Sequence, residues 1–156
     1  MTLKELRLNY KLTQQEAAKQ LGISLRSYVS YENEQSKSQT MKYRYMLQEM
    51  ERINRIDEEK GILTIEDIEV ICADVFSLYR VRYAYLFGSY AKSKPNEKSD
   101  VDLLVSSDVK GLKFYEMVEK LRERLHKKVD VLDIKQLASN EKLLDEVLRS
   151  GVKIYG

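Results

Sequence analysis

Cysteine and histidine are nearly absent from this chain of 156 residues, which contains one of each, Cys72 and His126. A single cysteine excludes both an intrachain disulfide and a zinc site built from several cysteines. A single histidine argues against a histidine-rich metal site and against a Ser/His/Asp triad. Cys72 also lies at helical spacing among apolar residues, so we expect it to be an inert core residue.

Long apolar runs are absent as well. No run of about 18 apolar residues occurs, and the N-terminal "MTLKELRLNY" lacks the apolar core of a signal peptide. We therefore expect a cytoplasmic protein with no membrane partner. The net charge of +2 says little about partners, but residues 1–52 contain nine Lys/Arg and six Asp/Glu. This segment is therefore the better candidate for contact with nucleic acid.

Helix signals fill the first third of the chain. A first helix carries Leu3, Leu6 and Tyr10 on one face, and a longer helix is predicted from about Thr40 to Glu59, with Gly61 as its stop. Between these two helices, Thr13 and Glu16 form a capping-box pattern that predicts the start of a second helix, and Gly22 predicts its end. Ser24 predicts the start of a third helix. An apolar stripe on the longest helix comprises Tyr43, Met46 or Leu47, Met50 and Ile53. The stripe either closes the helical domain on itself or forms the seam of a dimer.

Strands alternate with helices from Ile62 onward. The predicted order is a helix beginning at Thr64 with Asp67 in the capping-box position, the strands "VRYAYLF" and "VDLLV", the helix "FYEMVEKLRERL", the strand "KVDVLDI", the helix "NEKLLDEVLRSG" and the strand "VKIY". This α-β-β-α-β-α-β order predicts a small α/β domain with a mixed sheet. The predicted fold class is α+β with two domains, an all-α domain over residues 1–60 and an α/β domain over residues 61–156.

Two aspartates one residue apart stand out in the segment 86–105, "LFGSYAKSKPNEKSDVDLLV". On a strand, Asp100 and Asp102 point to the same face, about 6.6 Å apart at the usual rise per residue. Two carboxylates this close repel each other unless a proton or a cation lies between them. A Mg²⁺ ion suits a few carboxylates combined with substrate phosphates. Asp130, in the middle of the next strand, offers a third carboxylate.

Gly88 and Ser89 lie where a strand gives way to a short helix. A glycine there lets the backbone approach a ligand, and the N–H groups of a helix start suit a phosphate. A phosphate cradle facing metal-binding carboxylates favours phosphoryl or nucleotidyl transfer, in which two ions stabilise the attacking and leaving oxygens. Asp133 competes with Asp130 for the third role, but strand alternation turns it to the opposite face, where it would cap the next turn. The loop lysines that either screen a triphosphate or are simply solvated are Lys92, Lys94 and Lys98.

The same segment resembles the Gly-Ser-x10-Asp-x-Asp signature of the minimal nucleotidyltransferases, relatives of DNA polymerase beta, over about residues 62–156. The resemblance implies a set of site residues, which are Gly88 and Ser89 for the nucleotide phosphates, Asp100 and Asp102 for metal, and Asp130 for metal and for deprotonation of the acceptor. It also implies Mg²⁺, as a two-ion site, and ATP as the substrate. Lys92 stands where many relatives carry arginine, which keeps the positive charge but loses a bidentate grip on phosphate.

The segment 12–36, "LTQQEAAKQLGISLRSYVSYENEQS", has the spacing of a helix-turn-helix and resembles the Cro-like phage-repressor family over about residues 2–55. If the third helix enters a major groove, Arg26 suits a guanine edge, and Gln14 resembles the family's glutamine near the DNA backbone. The other outward residues of that helix are Leu25, Ser27, Val29 and Ser30. A helix-turn-helix used only for protein contact is the alternative. Because such DNA readers usually bind as dimers, we expect a homodimer.

These features predict a DNA-binding nucleotidyltransferase. The resemblance to the minimal nucleotidyltransferases implies that it transfers AMP from ATP to a protein acceptor such as a cognate toxin. It would then be an antitoxin that regulates its own operator. A protein acceptor is expected because residues 61–156 include no second domain to hold a drug or tRNA. The alternative is a transcriptional regulator whose nucleotidyltransferase-like domain binds nucleotide without turnover.

Overall fold

A computed structural model describes residues 1–156, and the chain divides into two compact units, Met1–Arg55 and Ile56–Gly156. The division lies slightly before the boundary drawn between residues 60 and 61 from the sequence. The side chain of Ile56 packs against the apolar core of the second unit, so the segment before Gly61 belongs to that unit. None of the helices is long and apolar enough to span a membrane.

The first unit is entirely helical. Its elements are α1 (Leu3–Asn9), α2 (Gln14–Leu21), α3 (Leu25–Asn33), a 3-10 turn (Gln35–Gln39) and α4 (Met41–Asn54). The predicted caps of α2 and α3 are confirmed: Thr13 and Glu16 form a reciprocal capping box, and the Ser24 hydroxyl accepts the Ser27 N–H. Gly22 ends α2 at φ 67°, a left-handed conformation that glycine adopts without a steric penalty.

The prediction that α4 extends to Glu59 is wrong. The helix ends at Asn54, whose side-chain amide donates to the Met50 carbonyl and to the Gln20 side chain and so closes the last turn. The next residue, Arg55, is extended, and a tight turn joins the backbones of Asp57 and Lys60. Gly61 lies beyond that turn and is not the C-cap of α4. Local signals favoured a longer helix, but packing of the following segment determines where this one ends.

The apolar stripe of α4 lies inside the helical unit. Its buried members Tyr43, Met46 and Met50 share one core with the following residues of α1, α2 and α3: Leu3, Leu6, Ala17, Ala18 and Tyr28. The Tyr43 hydroxyl also accepts a hydrogen bond from the Leu3 N–H at 2.8 Å. Of the two alternatives left open by the sequence, the structure therefore shows the stripe closing the helical domain on itself.

A buried ion pair joins α1 to α3. The Arg7 guanidinium donates to both carboxylate oxygens of Glu32, at 2.9 Å each, and to the Leu12 carbonyl. Only 1% of the Glu32 side chain is exposed, and Gln14 also donates to it at 3.2 Å. Burial alone would raise the pKa of Glu32, but the hydrogen bonds from Arg7 and Gln14 hold it below its ordinary value.

This geometry predicts that Arg7→Met destabilises the helical unit by about 3 kcal/mol at neutral pH, because it leaves a buried carboxylate without its partner. The loss should shrink in acid. A lowered carboxylate pKa stabilises the folded state above the unfolded pKa, and that contribution disappears as the pH falls through the folded value. Urea denaturation followed by circular dichroism measures the difference. Arg52→Met, which removes an exposed pair with Glu49, is the control and should change little.

The second unit contains a four-stranded mixed sheet with helices on both faces. Its elements are α5 (Ile65–Phe76), β1 (Val81–Phe87), α6 (Gly88–Ala91), β2 (Val101–Ser107), α7 (Leu112–Leu125), β3 (Val129–Asp133), α8 (Ile134–Leu137), α9 (Glu141–Ser150) and β4 (Val152–Tyr155). The strand order is β3-β2-β1-β4, with β1 antiparallel to β2 and β4, and β2 parallel to β3. The predicted element order and mixed sheet are confirmed.

The two faces of the sheet bury different side chains. Val101, Leu103 and Val105 of β2 pack with α5 and α7 in the main core, which also contains Cys72. Burial raises the pKa of the Cys72 thiol to about 12, as expected of an inert core residue. On the opposite face, a smaller cluster comprises Phe87, Leu104, Leu137 and Val147. Strand alternation therefore places Asp102 on the face covered by α8 and α9.

Candidate functional site

Asp102 and Asp130 lie directly opposite each other on neighbouring strands. The parallel pairing of β2 and β3 aligns the Cα atoms of these two residues, each the second residue of its strand. Asp102 is half-buried and Asp130 is exposed to solvent. Because paired residues on adjacent strands point to the same face, both carboxylates project beside the smaller cluster. Asp100 is half-buried and immediately precedes β2.

Negative charge is concentrated around Asp102. Its pKa is raised to about 6 by burial first, and then by the charges of Asp130, Asp100 and Glu146. Both causes disfavour the ionised carboxylate, because burial removes water and like charges repel. A cation at this position would relieve the repulsion.

Glu146 was not identified from the sequence. It lies on α9, next to the buried Val147, and its carboxylate forms an ion pair with the Lys92 ammonium at 2.7 Å. The only sequence signal was the amphipathic pattern of that helix, which does not reveal a contact with residues distant in the chain. In this structure, the Lys92 ammonium is therefore paired with a carboxylate of the protein itself.

Gly88 brings the backbone against the Asp102 carboxylate. It begins α6 at φ 72°, immediately after Phe87, which pairs with Asp102 across the strands. A Cβ atom on residue 88 would overlap the Oδ2 atom of Asp102. Both the backbone conformation and the space therefore require glycine here. Ser89 follows as a half-buried residue of the same short helix.

The carboxylates do not form a ready-made metal cage. No group of three Asp, Glu, His or Cys side chains in the chain is arranged to hold a metal ion, and this includes the three expected ligands Asp100, Asp102 and Asp130. Magnesium is commonly bound by one or two carboxylates together with substrate phosphates. The facing pair of Asp102 and Asp130 fits that kind of shared site, in which the nucleotide completes the coordination.

A cavity of about 420 Å³ opens beside the two carboxylates. Its walls are formed by residues of β1, β2, β3 and α7, namely Phe87, Asp102, Phe114, Tyr115, Val118, Val129, Asp130, Val131 and Leu132. The volume is within the range of small-molecule sites, and the lining is largely apolar and aromatic with two acidic groups. The cavity has the size and the aromatic surface to receive a flat ring.

Asp133 has a structural role, as the sequence predicted. Its Oδ1 accepts the Lys135 N–H at 3.0 Å, and its own N–H donates to the Gln136 side chain, so it caps α8. It is paired with Val105 in the strand register, three residues away from the position of Asp130. Strand alternation directs it away from the carboxylate pair.

The candidate DNA-contacting residues differ in their surroundings. Leu25 and Arg26 are exposed at the start of α3, while Ser27 and Val29 are partly buried. The Ser30 hydroxyl donates to Glu34 and accepts from Lys37. One side-chain N–H of Gln14 donates to the buried Glu32 carboxylate, and the second N–H of the same amide can donate to another acceptor.

The two units match different protein families. Residues 66–156 match the family described as polymerase beta nucleotidyltransferase, and residues 3–41 match a helix-turn-helix family. Together these matches account for most of both units.

Curated relatives and solved structures are similar to part of this chain. Two Methanocaldococcus jannaschii proteins, each named as a candidate protein adenylyltransferase, are 41% and 35% identical over 56 and 63 residues, or 35% and 38% of this chain. The chain spans 57% and 63% of the length of these relatives. A toxin–antitoxin complex crystallised with AMP-PNP is 24% identical, with a TM-score of 0.49 over 56% of this chain and 73% of that chain. A complex of a tri-AMPylated Shewanella oneidensis HEPN toxin with an MNT antitoxin is 22% identical, with a TM-score of 0.46 over 60% and 73%.

The crowded carboxylates predict that Asp102→Asn stabilises the second unit when divalent cations are removed by a chelator. A carboxylate whose pKa is raised to about 6 by the fold opposes folding when ionised, so the gain should be present above pH 6. It should fade as the pH falls below 6, where the wild-type group becomes protonated. Thermal melting at several pH values measures it, and an equal or lower melting temperature for the variant at high pH would contradict the assigned repulsion.

Proposed function

Because the chain belongs to the polymerase beta nucleotidyltransferase family, we propose that it transfers AMP from ATP to a hydroxyl group of a protein acceptor. The observation that carries the proposal is the pairing of Asp102 with Asp130 beside the backbone of Gly88. Two carboxylates packed against a helix-start backbone suit a nucleotide whose phosphates carry a bound cation.

The residues of the pair have different surroundings, and we assign them different roles. Asp130 is exposed and can reach an acceptor hydroxyl, from which it accepts the proton. The hydroxyl oxygen then attacks the α-phosphorus of ATP, the bond from that phosphorus to the β-bridging oxygen breaks, and pyrophosphate leaves. Asp100 and Asp102, with Asp130, would hold Mg²⁺ together with the phosphates. When bound, this ion supplies positive charge to the phosphate oxygens.

The phosphates are assigned to the turn at Gly88 and Ser89. Gly88 lets the backbone of this turn lie against the Asp102 carboxylate, and the Ser89 hydroxyl can donate a hydrogen bond to a phosphate. The cavity beside the carboxylates, with Phe114 and Tyr115 in its wall, is assigned to the adenine ring. Aromatic side chains pack favourably on the flat face of a base.

A protein acceptor is supported by the relatives named as candidate protein adenylyltransferases. We propose a cognate toxin as that acceptor, in line with the resemblance to minimal nucleotidyltransferases of the antitoxin type. The helix-turn-helix unit would then bind the operator of the same genes as a homodimer. Its exposed Arg26 and Leu25 are the groups most available to a major groove.

One alternative function rests on the helix-turn-helix match of residues 3–41, which requires no turnover by the second unit. In this alternative, the second unit binds nucleotide without turnover and the protein is a transcriptional regulator. Incubation with Mg²⁺ and labelled ATP, with and without the products of neighbouring genes, separates the two functions. Label on a protein supports the transferase, whereas saturable ATP binding without transfer supports the regulator.

The roles of the third-strand aspartates predict opposite effects of two substitutions. Asp130→Ala should lower the rate of AMP transfer at least about 10²-fold, because it removes the general base, with little change in melting temperature. Asp133→Ala removes the cap of α8 and should cost about 1 kcal/mol of stability while most activity survives. Transfer rates and melting curves of both variants test this. If the Asp133 variant were the inactive one, the assignment of the base would be wrong.

The proposed role of α3 predicts the effect of Arg26→Ala on DNA binding. If Arg26 contacts a guanine edge, the substitution should weaken operator affinity by about 1–3 kcal/mol and relax specificity at one base pair. Arg26→Lys keeps the charge but loses the bidentate geometry, so it should restore general affinity more than specificity. Gel-shift titrations with operator and scrambled DNA measure both. Equal binding by all three proteins would leave the unit with a protein-contact role.

A further inference from the structure

Lys127 is fully buried, which is unusual for a lysine. It lies between the C-terminal end of α7 and the start of β3, and its neighbours His126 and Lys128 are exposed. A buried ammonium is costly unless hydrogen bonds compensate for the lost water. The Lys127 ammonium has such partners, since it donates to the Glu97 carbonyl at 2.6 Å and to the Lys60 carbonyl at 3.2 Å.

The first of these partners lies in the turn that leads to the site. Between α6 and β2, residues 96–99 fold on themselves: the Asn96 N–H donates to the Ser99 hydroxyl, and the Ser99 N–H donates to the Asn96 carbonyl. Asp100 follows immediately. These local bonds shape the turn but do not attach it to the rest of the unit. The bond from Lys127 to Glu97 attaches it to the interior.

The residue after Lys127 fixes the other side of Asp100. The Lys128 carbonyl accepts the Val101 N–H at 2.9 Å and so begins the pairing of β2 with β3. Two adjacent residues thus hold the chain on both sides of Asp100, one through Glu97 and the other through Val101. The position of Asp100 relative to Asp102 and Asp130 depends on this pair of attachments.

The second partner of Lys127 lies in the segment 57–61 of the same unit. That segment makes two further contacts with the turn: the Gly61 N–H donates to the Glu97 carboxylate at 3.3 Å, and Glu59 pairs with Lys98 at 3.4 Å. Lys127 therefore joins the turn to a neighbouring segment as well as to the interior.

The pKa of the Lys127 ammonium is lowered from its ordinary value, and nearby carboxylates limit that shift. Burial lowers the pKa of the ammonium, but the carboxylates of Asp57, Glu97, Glu59 and Glu58 act in the opposite direction. Both acceptors are neutral carbonyls, so a methionine of similar length would fill the space but leave both carbonyls without this donor. The interaction depends on the donor and not on packing alone.

We propose that Lys127 is a positioning residue for nucleotide transfer, which anchors the turn 96–99 through the Glu97 carbonyl and thereby holds Asp100 beside Asp102 and Asp130. The effect of Lys127 on turnover is expected only if the proposed function is correct, and this part of the proposal rests on that function. The anchoring itself is a property of the fold and is measured separately.

The experiment compares Lys127→Met with Lys128→Met, which changes the exposed neighbour and leaves the backbone carbonyl in place. Hydrogen exchange followed by mass spectrometry should show amides of residues 96–101 exchanging about tenfold faster in Lys127→Met, with α5 and β1 unchanged. The turnover number should fall about 10- to 100-fold, because the displaced group is a part of the reacting geometry. The KM for ATP should rise by less than the turnover number falls, because Asp100 is one of several groups assigned to the cation and the phosphates while the turn at Gly88 makes no bond to Lys127. Lys128→Met should match the wild type in all three measurements.

Two results would overturn the proposal. One is wild-type exchange over residues 96–101 in a folded Lys127→Met variant. The other is faster exchange spread evenly over the whole second unit, which would make Lys127 a general core residue. An inactive wild-type protein with the expected local exchange would instead refute the proposed function and leave the anchoring intact.

A second variant serves if Lys127→Met does not fold. Lys127→Gln places a polar amide in the same buried position, where it can still hydrogen-bond, but its shorter side chain should not span to the Glu97 carbonyl. Compared with Lys128→Gln as its control, it should exchange faster over residues 96–101 and turn over more slowly. Wild-type exchange and turnover in a folded Lys127→Gln protein would contradict the anchoring of this turn.

Discussion

The register between β2 and β3 is the constraint on which the second unit depends. A parallel pair can be aligned in steps of two residues without changing which side chains face the core, but only one alignment sets Asp102 opposite Asp130. The apolar residues of β2 bury one face against α5 and α7, and Leu104 buries the other against α8 and α9. With both faces packed against particular helices, even a two-residue slip would move these apolar side chains out of their packed positions, so the core that stabilises the sheet also fixes the acidic pair.

The acidic pair itself works against folding. The carboxylates of Asp100, Asp130 and Glu146 all raise the pKa of Asp102, and none of them is needed to cover the apolar core. An arrangement of like charges that lowers the stability of the fold is expected where a site is organised to bind a ligand. The rest of the unit compensates with complete capping boxes at Thr64 and Asp133 and with a continuous core across all four strands and three helices.

Much of the fold was predictable because its signals are local. The capping boxes of Thr13 and Thr64, the stop at Gly22 and the apolar run of β2 are each contained in a few neighbouring residues, and all are present in the structure. The carboxylates and the glycine of the site were visible for the same reason. Glu146 and Lys127 were not, because their importance comes from contacts with residues more than 25 positions away. In the printed sequence Lys127 is one of two adjacent lysines that look solvated. The end of α4 was predicted wrongly because Ile56 packs against the core of the second unit, and the local sequence pattern does not reveal this contact.

The packing of Ile56 in the core of the second unit determines where the chain can be truncated. A fragment that begins at Gly61 would keep every strand of the sheet, but it would lose an apolar side chain of the core and the Lys60 carbonyl that accepts from Lys127. A fragment that begins at Ile56 keeps both. The few residues between Arg55 and Gly61 are therefore part of the fold of the second unit and not a tether.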